Sequence, residues 1–76
     1  MSRKHYIAVA KLIADEIESA SPLFEQSRIT TCSTIARGLA DLFATENSNF
    51  DRQRFYFACA LDENGRPDWE ALRNEL

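Results

Sequence analysis

Asn49-Phe50-Asp51-Arg52-Gln53-Arg54-Phe55-Tyr56-Phe57-Ala58, NFDRQRFYFA, sets an aspartate between a phenylalanine and two arginines and then runs three aromatic residues together. With Asp51 as the N-cap of a helix, Phe50 is the residue before the cap and Phe55 the fourth helical residue. That is the spacing of a hydrophobic staple, in which two apolar side chains clasp across the first turn. Asp51 also puts a negative charge at the positive end of the helix dipole. The stretch is therefore read as the start of a helix over about 51–61.

Working outward, Asn47 suits the left-handed position that ends a preceding helix, and Ser48 and Asn49 continue the turn. That preceding helix runs over about 29–45. Its apolar stripe is Cys32, Ile35, Ala36, Leu39, Leu42 and Phe43, with Thr30, Ser33, Thr34, Arg37 and Asp41 on the solvent side. Gly38 fits either a close helix crossing or a tolerated surface position. Residues 21–28, SPLFEQSR, form a connection in which Ser21-Pro22 reads as a helix stop or as the cap and first position of one short turn. Leu23 and Phe24 are expected to tuck that loop onto the core.

The first helix covers about 3–20 and can be capped by Ser2. Tyr6, Val9, Ala10, Ile13, Ile17 and Ala20 share one stripe, and Lys4, Lys11, Asp15 and Glu18 lie outside it. Ile7 and Leu12 flank the stripe on opposite sides, so the helix is expected to touch more than one neighbour. Beyond the third helix, Phe57 and Leu61 point about 160° and 120° away from Phe55. The turn Asp62-Glu63-Asn64-Gly65-Arg66-Pro67 leads to a short helix over about 68–76, which is expected to fold back over them.

The sequence thus predicts a single all-α domain over 1–76, a small bundle of three main helices and a short C-terminal one. Its predicted core is Val9, Ile13, Ile17, Ile35, Leu39, Leu42, Phe43, Phe55 and Cys59. Composition agrees: 45% apolar and 28% charged residues describe an ordinary globular chain, and only 2 Gly and 2 Pro argue against disorder or a turn-rich β fold.

Charge and motifs exclude several functions. A net charge of −3 provides no general attraction to nucleic-acid backbones. No apolar run approaches membrane-spanning length, and the basic start MSRK is followed by a stretch broken by Lys11 and then acidic. A cytoplasmic protein with no membrane association is expected. Cys32 and Cys59 fall on apolar faces and are read as buried, reduced thiols. His5 is the only histidine, and the carboxylates Asp15, Glu16, Glu18, Asp62 and Glu63 read as solvated. No phosphate loop or metal spacing occurs, so no enzyme activity, cofactor or metal is expected.

Arg52 and Arg54 break a local rule, because cations in a first helical turn oppose the dipole. One reading pairs one of them with Asp41, Glu46 or a carboxylate of the first helix. The other makes Arg52, Tyr56, Phe57 and the tail residue Trp69 a protein-contact surface, since arginine and aromatic residues anchor such surfaces. The function expected is binding to another protein or to a second copy of the chain. The alternative is a small helix-turn-helix-like regulator reading DNA with the third helix; the acidic balance and the aromatic run weigh against it.

These residues also carry a likeness. The opening MSRKHYIAVA and the segment ATENSNFDRQRFYFAC resemble a set of small uncharacterised proteins encoded by phages, prophages and plasmids. Those proteins typically begin Met-Thr/Ser-Arg/Lys-Lys and close on Asn-Pro-x-Phe-Asp-x-x-Arg-Phe-x-x-Ala-Cys-Gly. The matching positions are Arg3, Lys4, Asn47, Phe50, Asp51, Arg54, Phe55, Ala58 and Cys59. Ser48 stands where the set has Pro, and Ala60 where it has Gly; the second departure weakens the expected helix stop after Cys59. The resemblance implies a small helical mobile-element protein and carries over no catalytic residue.

Overall fold

The computed structural model describes residues 2–74. It consists of α1 (Arg3–Ser19), α2 (Gln26–Glu46), α3 (Arg52–Ala58) and α4 (Trp69–Asn74). The first two form an antiparallel hairpin, with the Tyr6 ring 4.8 Å from that of Phe43 at one end and Arg28 bonded to Glu16 at 2.8 Å near the other. α3 lies across the open end of this hairpin, touching both helices.

The staple is present. Arg54 N–H donates to Asp51 Oδ1 at 3.1 Å, and the rings of Phe50 and Phe55 lie 5.5 Å apart. Both join Tyr6 and Phe43 in one aromatic cluster, which buries the joint between the helices. Asn47, expected in the left-handed region, is instead extended at φ −143°; its side chain closes the turn by accepting from Asn49 N–H at 3.0 Å.

Pro22 is buried and occupies one isolated helical turn, which Ser21 caps by accepting from the N–H groups of Leu23 and Phe24. Glu25 bonds back to Ser21 N–H, which with Arg28 holds its carboxyl below the usual range. That turn points Leu23 and Phe24 outward, contrary to expectation, with Phe24 89% exposed. α2 begins three residues earlier than the apolar periodicity indicated. Arg28 is helical there and bridges Glu16, Glu25 and Ser19.

The buried face of α2 is rotated from the expected one. Ile29, Ser33, Ala36, Ala40 and Phe43 face inward, while Ile35 and Leu42 are 53% and 52% exposed and Leu39 is half-buried. α1 contributes Ala10, Ala14, Ile17 and Ala20, with Val9 and Ile13 only partly covered. Small side chains line both helices where they face the interior, and large ones stand at the edge. Ser33, assigned to solvent from its polarity, is fully buried; its hydroxyl donates to Thr30 C=O at 2.8 Å and so loses no hydrogen bond. Gly38 has nothing within 4 Å of where a Cβ would stand, so it is a surface glycine.

α3 ends at Ala58 rather than near Leu61. Ala60 adopts φ +65°, Leu61 N–H bonds to Tyr56 C=O and Ala60 N–H to Phe57 C=O. These two bonds are those of a Schellman motif, so the chain stops the helix without glycine and accepts the strain of a Cβ in the left-handed region. Ala60→Gly is expected to stabilise the protein by about 0.5–1 kcal/mol, read as a higher midpoint in urea denaturation. A lower midpoint would show that the strain is absent.

The tail then doubles back. Asp62 C=O and Oδ1 accept from Gly65 and from Asn64 and Arg66, respectively, making a tight turn. Asp68 caps α4 by accepting from Ala71 N–H at 3.1 Å, and Trp69 and Leu72 lean on the core. The tail buries Leu61, as expected, but leaves Phe57 59% exposed. The predicted end of the last helix, residues 75–76, lies outside the described residues.

Candidate functional site

The four residues expected to form a contact surface do not form one. Arg52 bonds to the Asp41 carboxylate on α2, and this bond first, then one to Tyr56, holds its guanidinium above the usual arginine range. The arginine pair is thus partly explained by an ion pair within the fold. Tyr56 is buried, a correction to its expected exposure, because the turn at Gly65 lies on its ring. Trp69 is half-buried against the core. Phe57 alone turns a large apolar side chain outward.

What the arginine pair does supply is a groove on the other side of α3. α1 and α3 diverge there around a cavity of about 450 Å³. Tyr6, Ile7, Ala10, Phe50, Phe55 and Ala58 give it an apolar lining, and Arg3, Arg54, Asn47, Asn49 and Asp51 give it polar groups. Each is placed by a feature already described. Arg3 opens α1, the Asn47 turn sets both asparagines, and the Asp51 cap fixes the first turn of α3 from which Arg54 projects.

Among the described residues no ion pair engages Arg3 or Arg54, in contrast to Arg28 and Arg52. The carboxylate nearest in sequence, Asp51, is already an acceptor for Arg54 N–H. The groove therefore carries more positive than negative side chains, in a chain whose net charge is −3. Two guanidinium groups beside an apolar floor can hold a carboxylate through paired N–H donors while an adjacent apolar side chain is removed from water. Tyr6 adds a second polar element: its hydroxyl is buried without a hydrogen-bond partner among the described residues. An unmet hydroxyl of this kind costs about 1–3 kcal/mol.

Elsewhere the chemistry is structural. Ser2 Oγ lies 3.1 Å from His5 Nδ1, a distance at which a serine could be activated, but Nδ1 also accepts from Ser2 N–H. This is a helix-start contact between exposed residues, and among the described residues no third group orients the ring. Burial pushes the Cys59 thiol up to about 12, which removes it as a nucleophile near neutral pH. Cys32 is half-buried rather than buried, also with its thiol raised by burial. No group of three potential metal ligands and no helix long and apolar enough to cross a membrane occurs among the described residues.

Sequence reasoning named the arginine pair but selected Arg52; Arg54 is the one at the groove. Arg3, Asn47, Phe50, Asp51, Arg54, Phe55 and Ala58, which carry the phage-type resemblance, all line it. Comparison of the chain with protein families, curated proteins and solved structures gives no match.

Proposed function

We propose that the chain is a non-enzymatic accessory protein of a mobile genetic element that acts by binding another protein, with the α1/α3 groove as its binding site. The groove takes a short partner segment in which an apolar side chain stands beside a carboxylate. The observation that carries this reading is the placement of Arg3 and Arg54 beside an apolar lining, where no ion pair among the described residues occupies them. A volume of about 450 Å³ suits one or two side chains rather than a whole domain surface, within the roughly 300–1,000 Å³ of ordinary ligand pockets. The mobile-element part of the reading rests on the resemblance alone.

The DNA-reading alternative has less to draw on. Arg52 is engaged by Asp41, and α3 is only 7 residues long. Selection from a random-peptide display library tests the preferred reading. Peptides enriched in a carboxylate next to a large apolar residue are expected, with binding weakened at least tenfold by Arg54→Glu while helical circular dichroism is unchanged. Enrichment of peptides lacking acidic residues, or binding indifferent to Arg54→Glu and Arg3→Glu, would defeat it.

A further inference from the structure

α3 covers one side of the α1/α2 hairpin, and the other side keeps apolar residues that the sequence periodicity assigns to a core. On α2, Arg37 and Asp41 mark the flank facing α3 and the tail turn, since they bond to Gly65 C=O and Arg52. Ile35 and Leu39 lie about 160° around the helix from Arg37. On α1, Ile7 marks the groove flank, and Val9 and Leu12 lie roughly 160° and 140° from it. The bridge from Arg28 to Glu16 joins the flanks of α1 and α2 that lie away from α3. Charge from both residues also reaches Cys32. The antiparallel register brings Val9 to the level of Leu39, and Leu12 to that of Ile35.

The result is one apolar face built from Val9, Leu12, Ile13, Ile35, Leu39 and Leu42, with Leu12 68% exposed. Beside it α2 presents Thr31, Thr34, Gly38 and Thr45, all exposed and uncharged. Gly38 leaves the helix backbone open to close approach.

We infer that this face binds a second copy of the chain, two hairpins packing back to back as a four-helix bundle about a two-fold axis. Two features favour self-association over a foreign partner. The exposed edge of α1 runs from basic to acidic, with Lys4 before Ala8 and Leu12 and with Asp15 and Glu16 after them. A two-fold axis at the level of Ala8 and Leu12 sets Lys4 of each copy against the acidic end of the other, so the charge pattern complements itself. The broad side of the molecule is also large enough. It spans up to 37 by 19 Å, an outline of the same order as the roughly 800 Å² per partner of a standard interface.

Sedimentation equilibrium of the full chain from about 1 to 100 μM, the range of modest protein affinities, tests this. A dimer of twice 8.7 kDa is expected. Ile35→Glu with Leu42→Glu should weaken it at least tenfold. Gly38→Glu should act in the same direction without any contact inside the fold. Lys4→Glu and Glu16→Lys should each weaken the dimer, and the two together should restore it. A monomer throughout the range overturns the inference, as does a dimer that survives both Ile35→Glu/Leu42→Glu and Gly38→Glu. A dimer lost only on Arg54→Glu would instead place self-association at the groove.

Discussion

Phe43→Ala is expected to remove about 3–5 kcal/mol of stability, the usual cost of deleting a buried phenylalanine. That is half or more of what a chain of this size holds, given roughly 0.05–0.15 kcal/mol per residue. The ring is 2% exposed and stands among those of Tyr6, Phe50 and Phe55 at 4.8, 5.4 and 5.6 Å. Each neighbour is tied by something other than Phe43. Tyr6 belongs to α1, Phe50 is held by its N–H bond to Asn47 C=O, and Phe55 by its N–H bond to Asp51 C=O. They cannot all move inward, so the void persists and its lining loses dispersion contacts.

The next residue provides the control. Leu42 is 52% exposed, so Leu42→Ala forfeits little buried area and should cost no more than about 1 kcal/mol. Urea denaturation followed by circular dichroism compares the two. Equal losses would mean that the aromatic joint does not hold the three helices together.

The contrast between these neighbours also shows where sequence reasoning succeeds and fails. The cap and staple at Asp51 were legible because they depend on residue spacing within one turn, as did the Ser21 turn and the helical class of the whole. The buried face of α2 was not. Its apolar stripe is wider than one interface, and volume-weighted reading centres it on Ile35, Leu39 and Leu42. The fold instead centres it on Ala36 and Ala40, because helices that pack closely need small side chains between them. The large residues then fall at the rim, where a second surface begins.

Polarity misled in the same region. Ser33 and Arg37 were placed in solvent, yet Ser33 Oγ accepts from Arg37 Nη1 at 3.3 Å inside a network that only the tail completes. The groove was equally invisible, since Arg3 and Arg54 are 51 positions apart in a chain of 76. Its one local sign was the cation at Arg54 in a first turn that disfavours it.

Gly65→Ala is expected to cost about 2–4 kcal/mol, from left-handed strain on an L side chain together with overpacking. Gly65 has φ +74°, and a Cβ there would stand 2.7 and 2.8 Å from ring carbons of Tyr56 and 2.9 Å from Cγ of Arg37. Both neighbours resist displacement. Tyr56 is buried in α3, and Arg37 is fixed by donating from Nη1 to Gly65 C=O at 2.8 Å. The turn must therefore lift, which uncovers Tyr56 and Leu61 and frees Trp69. A red-shifted, more quenchable Trp69 emission should accompany the lower denaturation midpoint, and Arg37→Ala should reproduce part of the shift. The same substitution at the other glycine should have the opposite sign. Gly38→Ala meets nothing within 4 Å and relieves a helix-interior glycine worth about 1 kcal/mol, so it stabilises. If both variants lower the midpoint alike, or if Trp69 emission is unmoved by Gly65→Ala, the tail turn is not docked on Tyr56 and the covering of α3 described above is mistaken.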